Sequence, residues 1–283
     1  MERVGENMRK VLLCLVICLL CVACVPQDMH IKSLIDKQGT TLQTRILTPG
    51  GYHRKEVEKD SLIAFLRNYD LEEDGSLVYL YNGKEKKNQD AHVAVFQLPI
   101  ENVDLQQCAD SIMRVYAEYY YHKKDYKRIG FHFVNGFYAD YAKWRQGYRI
   151  QVNGNDVKWV RTNQDQTTYE SFQKYLRIVF SYASTLSMEK ESKEIKVSDI
   201  QVGDIFIKGG SPGHVVMVVD KCENQEGKKA FLLAQGFMPA QQFHILKNER
   251  HKDDMWYYED EVTYPFSTPE YTFEKGSLRR LEY

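Results

Sequence analysis

The chain has 283 residues and a formal net charge of −1, from 38 basic and 39 acidic side chains. This balance gives no electrostatic signal for a nucleic-acid partner. The apolar fraction of 43% is ample for a core, and the length allows one large domain or two small ones. Because the sequence has no internal repeat and no low-complexity segment, we expect a single α+β domain over residues 49–283.

The N-terminus has the pattern of an export signal. Arg9 and Lys10 precede an unbroken apolar run over residues 11–22, which is too short to span a bilayer as a helix. The run ends with Ala23 directly before Cys24. This order resembles a bacterial lipoprotein signal, in which the cysteine is lipidated and becomes the mature N-terminus.

We therefore expect residues 1–23 to be a signal peptide, Cys24 to be the lipidation site, and residues 24–48 to be a tether that carries a first short element. The expected location is the cell envelope, anchored by lipid on the periplasmic or outer-membrane side. Cys21 occupies a position where leucine is usual, which leaves ordinary secretion as the alternative.

The first half of the body alternates helical and strand patterns. Asp60 and Ser61 precede apolar residues at helical spacing and predict a helix over 61–69. The β-forming runs 76–81 and 91–98 flank a polar stretch and predict a hairpin. The strongest helical pattern covers 103–122, with Asp104 as its N-cap.

The second half is richer in strands. The patterns predict helices at 138–146 and 168–188, and strands at 131–133, 147–152, 157–160, 231–234, 242–246 and 271–273.

Residues 200–220 carry the clearest signal for a site. The β-rich runs 204–207 and 214–219 flank a loop of glycine, serine and proline, and predict two paired strands. The second run is almost wholly apolar, which is typical of a central strand covered on both faces. His214 is its first residue and is a candidate general base, whereas Asp220 beyond the run is interpreted as a turn residue.

These residues also carry two resemblances. The order Val202-Gly203-Asp204 and then Gly213-His214-Val215 resembles the NlpC/P60 and CHAP groups of papain-like cysteine peptidases and amidases. That resemblance implies a papain-like antiparallel sheet with packed helices and a catalytic histidine at His214. Residues 175–185, 213–220 and 232–241 resemble DUF4846, a family of Bacteroidetes lipoproteins of unknown function. The second resemblance names a family and implies no activity.

Papain-like chemistry requires a thiolate, an imidazole that takes its proton and a polar group that orients the imidazole. The body of the chain offers Cys108 and Cys222, which could form a disulfide or remain free. Cys222 follows His214 by eight residues on one strand, roughly 25 Å at the rise of an extended chain, which excludes it. Cys108 is the candidate nucleophile. Its place between Leu105 and Ile112 on an apolar helix face leaves a buried core thiol as the alternative.

Gln235 is the candidate orienting residue. It follows the strand 231–234, which we expect to pair with the strand that begins at His214. Gln241, Gln242 and His244 follow a turn and could line the same opening beside His214. The competing interpretation is that His214 is satisfied by main-chain groups alone.

A second alignment with the NlpC/P60 domains gives the chain no nucleophilic thiol. Val134-Asn135-Gly136-Phe137 resembles the Cys-Ser-Gly-Phe motif of NlpC/P60 domains, with Val134 at the position of the nucleophile. The chain would then be a binding module derived from a hydrolase. Ser211 is a poor replacement nucleophile because its loop lacks a Gly-x-Ser-x-Gly elbow.

Metal and nucleotide sites have little support. His244 and His251 with the neighbouring aspartates lack ligand spacing, and Gly209-Gly210 lies between two strands rather than before a helix. We expect no metal and no cofactor.

The sequence thus predicts a lipid-anchored envelope protein that hydrolyses amides, in peptidoglycan peptides or a protein isopeptide. Cys108 would be the nucleophile, His214 the base and Gln235 the orienting residue. Two alternatives remain: a catalytically silent lipoprotein that binds a glycan, peptide or protein in the same cleft, and a structural subunit of an envelope complex.

Overall fold

The strand that begins at His214 lies in the interior of the main sheet, as its apolar sequence predicts. The computed structural model describes residues 33–162 and 166–283. The strands are β1 (His92–Val95), β2 (Gly130–His132), β3 (Tyr138–Asp140), β4 (Tyr148–Asn153), β5 (Asp156–Arg161), β6 (Ser192–Glu194), β7 (Ile205–Lys208), β8 (His214–Glu223), β9 (Lys229–Gln235), β10 (His244–Leu246), β11 (Tyr257–Tyr258), β12 (Phe266–Ser267), β13 (Thr272–Phe273) and β14 (Leu278–Leu281).

The main sheet has eight strands in the order β1-β10-β9-β8-β7-β14-β6, with β11 also paired to β9. Its pairings are antiparallel. Lys208 pairs with His214 across β7 and β8, and Met217 pairs with Ala234 across β8 and β9. This register confirms the predicted neighbours of β8 and brings Gln235, the residue after Ala234, to the His214 end of the sheet.

Three two-stranded sheets, β2-β3, β4-β5 and β12-β13, accompany the main sheet. The helices are α1 (Leu42–Arg45), α2 (Leu62–Arg67), α3 (Cys108–His122), α4 (Tyr141–Arg145), α5 (Tyr169–Tyr182) and α6 (Thr185–Lys190). Short 3₁₀ turns occur at Tyr126–Arg128, Val197–Asp199 and Glu259–Glu261. The chain is therefore an α+β protein, and α3 packs on β8 and β9.

The core has two layers, one on each face of the sheet. Val215, Met217 and Val219 of β8 pack in the layer that contains the helices. Val216 and Val218 point the other way, into a smaller layer with the aromatic side chains of the C-terminal part. Since alternate side chains of a strand face opposite sides, two covered faces require the unbroken apolar run that β8 shows.

The helix at Cys108 begins later than its sequence pattern predicts. We expect a start near Val103 with Asp104 as the cap, but the first helical residue is Cys108 and Gln107 precedes it. The Asp104 carboxylate instead accepts a hydrogen bond of 2.7 Å from the main-chain N–H of Ala240. A partner distant in the sequence has displaced the local cap, and the thiol stands at the helix N-terminus.

Two other predicted elements are wrong. The helix predicted over 168–188 is interrupted after Tyr182, because Ser184 accepts a hydrogen bond from the N–H of Leu186 and begins a new helix. The hairpin predicted over 76–98 does not form. Strand β1 pairs with β10 instead, and Leu80 forms a bridge with Gln241. A local cap explains the first difference, and strand pairing between distant parts of the chain explains the second.

The folded unit begins at Leu34, before the boundary at residue 49 that the sequence predicts. Leu42 of α1 and Ile46 are fully buried in the core, so the second half of the predicted tether is part of the domain. The predicted signal peptide and Cys24 lie outside the described residues. Among the helices that the structure describes, none has the length and apolar character needed to cross a membrane.

Asp220 is not the turn residue that the sequence suggests. It lies within β8, fully buried, and its two carboxylate oxygens accept hydrogen bonds from Arg54 at 2.7 Å and Arg67 at 2.8 Å. The ion cluster joins the N-terminal part of the domain to the sheet. The pairing of β8 with β9 is irregular at this point, between Val218 and Asp220.

Candidate functional site

Cys108 stands at the floor of a hollow of about 220 Å³. The hollow, called the Cys108 hollow below, is lined by the start of α3, the α5–α6 connection, residues 210–213 and Met238. Main-chain N–H groups of Ala109 and Val215 donate toward the sulfur. Because Val215 directly follows His214, the thiol lies against the first residues of β8.

The Cys108 thiol is protonated at neutral pH. Burial, together with the nearby Asp110 carboxylate, raises the pKa of Cys108 to about 11, although the N–H groups of Ala109 and Val215 act in the opposite direction. Burial also raises the pKa of Asp110 to about 8. One Asp110 oxygen accepts a hydrogen bond from the N–H of Gln107, and the other has no partner among the described residues. The thiol is therefore unactivated in this closed state.

The His214 ring is almost fully enclosed. Its Nε2 atom is 2.7 Å from the side-chain oxygen of Gln235, and its side chain is not satisfied by the main chain alone. The rings of Phe237, Tyr271 and Phe273 surround it, with centroid distances of 4.7, 5.0 and 6.1 Å. Burial lowers the pKa of His214 to about 4, while the hydrogen bond with Gln235 opposes the shift. The imidazole is thus neutral at pH 7.

Tyr271 packs against the His214 ring and contacts the loop between β7 and β8. Its hydroxyl donates to the carbonyl oxygen of Pro212 at 3.3 Å, which joins the C-terminal segment to the loop between β7 and β8. The charge of Cys108 acts on the Tyr271 hydroxyl, so the two groups are neighbours. Cys108 is 6% exposed and His214 2% exposed. Both side chains are therefore almost fully shielded from solvent.

A buried ionic network lies behind Gln235. The side-chain nitrogen of Gln235 donates to Glu270 Oε2 at 2.7 Å, and Lys86 Nζ donates to the same oxygen at 2.6 Å. The His244 ring is also within reach, with Nε2 at 3.4 Å from the Gln235 nitrogen. Burial favours the neutral acid, but His244 and Lys86 hold the pKa of Glu270 at about 2.

Sequence reasoning missed Glu270 and Lys86. Lys86 lies in the polar stretch taken for a hairpin loop, and Glu270 lies in the C-terminal segment, 184 residues away. No local pattern connects them. Glu270 directly precedes the predicted strand 271–273, but nothing in the sequence distinguishes it from a solvated side chain.

The structure brings the three predicted residues to one end of the sheet. Cys108 begins α3, His214 begins β8 and Gln235 ends β9. Among the described residues there is no hydrogen bond between the Cys108 sulfur and the His214 ring. A thiol, an imidazole and an amide that is hydrogen-bonded to the imidazole therefore lie at the same end of the sheet.

The other sequence candidates lie elsewhere or have other roles. Val134 is 43% exposed in the turn between β2 and β3, and the two hollows that it lines do not include His214. Ser211 is exposed in the loop above the Cys108 hollow. Cys222 is buried toward the other end of β8 and, like Cys108, is not in a disulfide. The alignment that places Val134 at the nucleophile position therefore has no support in the geometry.

The remaining histidines are held by protein groups. His251 contacts Glu261 at 2.7 Å, and His244 Nδ1 lies 2.8 Å from the carbonyl oxygen of Gln242. Within residues 33–162 and 166–283, no group of three or more His, Cys, Asp or Glu side chains is placed to hold a metal ion.

Comparison with protein-family models gives a match to "Domain of unknown function (4846)" over residues 42–280. Comparisons with curated proteins and with solved structures give no match. The matched stretch covers most of the chain and includes Cys108, His214, Gln235 and Glu270. The chain belongs to the family described as Domain of unknown function (4846).

Proposed function

We propose that this protein is a thiol hydrolase of amide bonds with a papain-like site. The observation that carries the proposal is the position of Cys108 at the N-terminus of a long helix, with its sulfur against the first residues of β8. His214 and Gln235 complete the set at the same end of the sheet. A thiol, an imidazole and an orienting amide are the groups that such chemistry needs.

The reaction begins with proton transfer. His214 donates from Nε2 to the Gln235 oxygen, so Nδ1 is free to take the proton of the Cys108 thiol. The thiolate attacks the carbonyl carbon of the amide, and the C=O π electrons move to oxygen. The N–H groups of Cys108 and Ala109, which have no intrahelical acceptors and face the sulfur before reaction, are the donors proposed for that oxyanion once the sulfur is bonded to carbon.

The intermediate then collapses. The carbon–nitrogen bond breaks, the amine leaves with the proton held by His214, and a thioester to Cys108 remains. Water attacks the thioester with His214 as base, which releases the carboxylic acid and restores the thiol. No redox partner or cofactor enters this sequence of steps.

The size of the Cys108 hollow limits the group that can bind. Its volume of about 220 Å³ is smaller than the roughly 300–1,000 Å³ typical of small-molecule pockets. We propose that it accepts one residue of a peptide, with the rest of the substrate outside. Peptidoglycan peptides and protein isopeptides fit this chemistry, and lipidation at Cys24 would place the enzyme in the cell envelope, anchored to the membrane.

A second candidate is a catalytically silent lipoprotein that binds a peptide, glycan or protein in the same cleft. The observation that favours it is the thiol itself, because burial raises the pKa of Cys108 to about 11 and no hydrogen bond to His214 is present among the described residues. In this case the cleft would recognise a ligand without cutting it.

The two candidates differ in the release of amine. The purified protein is incubated with peptidoglycan stem peptides and with an ε-lysyl isopeptide, and new primary amines are measured by fluorescent derivatisation. Hydrolysis is expected from the wild type and lost in Cys108→Ala, while Cys222→Ala, which alters the other buried thiol, keeps it. Binding of these peptides without amine release would favour the silent cleft.

A further inference from the structure

We propose that Glu270 is a positioning residue that fixes the tautomer of His214 through the side-chain amide of Gln235. The inference rests on the proposed function, in which His214 is the base. It concerns a carboxylate that does not touch the thiol. The Gln235 amide presents its oxygen to His214 and its nitrogen to Glu270.

The nitrogen end of the Gln235 amide faces the Glu270 carboxylate and the His244 ring. Glu270 Oε2 lies 2.7 Å from it, and a carboxylate oxygen can only accept. His244 Nε2 lies 3.4 Å from the amide nitrogen and 3.9 Å from Glu270 Oε2. The carboxylate is therefore the group that requires the nitrogen end of the amide on this side.

The opposite orientation of the amide is excluded by the Glu270 carboxylate. It would place the Gln235 oxygen against the carboxylate oxygens, in a site where Gln235 is fully buried. An unpaired buried acceptor costs roughly 1–3 kcal/mol, and here it would also face a negative charge. The observed orientation is the one that satisfies every group.

The orientation of the amide then determines the tautomer of His214. The Gln235 oxygen, 2.7 Å from His214 Nε2, can only accept, so the ring hydrogen must be on Nε2. The lone pair is left on Nδ1, the nitrogen that takes the thiol proton in the proposed function. Without a fixed amide, the ring could place its hydrogen on Nδ1 and lose its function as a base.

Lys86 holds the carboxylate in place. Its Nζ lies 2.6 Å from Glu270 Oε2 and 2.8 Å from the carbonyl oxygen of Asn88, and it is almost fully buried. The negative charge of Glu270 also acts on His214 directly and favours the imidazolium form. Glu270 therefore orients the base and stabilises the charge that the base acquires when it takes the proton.

The test compares the wild type with Glu270→Gln, whose neutral amide can donate as well as accept. The ¹⁵N chemical shifts of His214, observed in histidine-labelled protein, should change from the Nε2–H pattern to a mixture of tautomers. The alkylation rate of Cys108 by iodoacetamide at pH 7 should fall about tenfold, because a histidine in the wrong tautomer is lost as a base, at a cost of up to about 10⁴-fold in a catalytic triad. Glu259→Gln, which removes a glutamate paired with Lys229, is the matched control and should change neither.

A Lys86→Gln/Glu270→Gln double variant removes both charges together and leaves no unpaired buried ion, so it provides a second test if the single variant folds poorly. It should show the same tautomer mixture. An unchanged Nε2–H pattern in a folded variant would overturn the inference. The chemical shifts can be measured whether or not the protein is active. If the wild type cuts no amide, but the His214 tautomer changes in Glu270→Gln, the proposed function is rejected and the role of Glu270 stands.

Discussion

The imidazole of His214 lies 2.7 Å from the side-chain oxygen of Gln235, across the pair formed by β8 and β9. This contact turns one ring nitrogen, Nε2, toward a neutral acceptor, and the other, Nδ1, is the base in the proposed function. The hydrogen bond is buried and shielded by aromatic rings, so it keeps its geometry in the absence of substrate.

Loss of the Gln235 amide should impair the base without removing it. In Gln235→Ala, His214 Nε2 and Glu270 lose a buried partner, and we expect a loss of roughly 1–3 kcal/mol in the free energy of unfolding. Alkylation of Cys108 should slow by at least about tenfold, since the ring is no longer oriented. Urea unfolding and mass-spectrometric labelling measure the two effects. A variant with wild-type alkylation would show that Gln235 does not orient the base.

The rate of Cys108 alkylation should depend on pH through two groups. Because the pKa of His214 is about 4, the base stays neutral from pH 8 down to about 5, and the rate should fall only as pH approaches 4. The rate should rise again toward pH 11, where the thiol ionises without help, since the pKa of Cys108 is about 11. A profile with its midpoint near 6.5 would indicate a solvated histidine and contradict the buried geometry.

The same histidine should make the fold sensitive to acid. The unfolded His214 binds a proton near its ordinary pKa of 6.5, and the folded one only near 4. The unfolded state therefore holds more protons in this window, and the free energy of unfolding falls as pH drops from 6.5 to 4, by up to roughly 3 kcal/mol. Glu270, with its pKa held at about 2, adds a loss between pH 4.5 and 2.

Urea midpoints measured at several pH values test this acid dependence, with His214→Gln as the comparison. The variant should lose most of the slope between pH 6.5 and 4 and keep the loss at lower pH. An equal slope in the two proteins would assign the effect to another group.

The Asp220 ion cluster should be a main determinant of stability. Asp220→Asn leaves the Arg54 and Arg67 guanidinium groups without their carboxylate in a buried site. Breaking such a pair costs about 3–5 kcal/mol. Glu226→Gln, in an exposed pair with Lys228, is the matched control and should cost less than about 1 kcal/mol. Equal urea midpoints for the two variants would contradict this role of Asp220.

Removal of the Tyr271 hydroxyl should make the site more accessible. In Tyr271→Phe the hydrogen bond to the Pro212 carbonyl is lost while the ring beside His214 remains. We expect faster alkylation of Cys108, by up to roughly fivefold if about 1 kcal/mol of closure is lost. Tyr79→Phe, at an exposed tyrosine away from the hollow, is the control. A slower or unchanged rate would show that this contact does not limit access.

The parts of the site that the sequence predicts are those with a local signal. The apolar run of β8 with His214 at its start follows from burial on both faces, and Gln235 follows from the antiparallel pairing of the next strand. Glu270 and Lys86 have no local signal, because their role depends on contacts between distant parts of the chain. The start of α3 was misplaced for the same reason, since Ala240 engages the expected cap Asp104.

The central claim is that His214 activates the Cys108 thiol, and the ratio of two labelling rates tests it most directly. The native wild type and His214→Ala are treated with iodoacetamide at pH 7, and the label on Cys108 is followed by peptide mass spectrometry. The claim predicts that Cys108 is labelled in the wild type and that the variant reacts at least about 10²-fold more slowly, the usual contribution of a positioned base. Equal rates in two folded proteins, or no labelling of the native wild type, would contradict it.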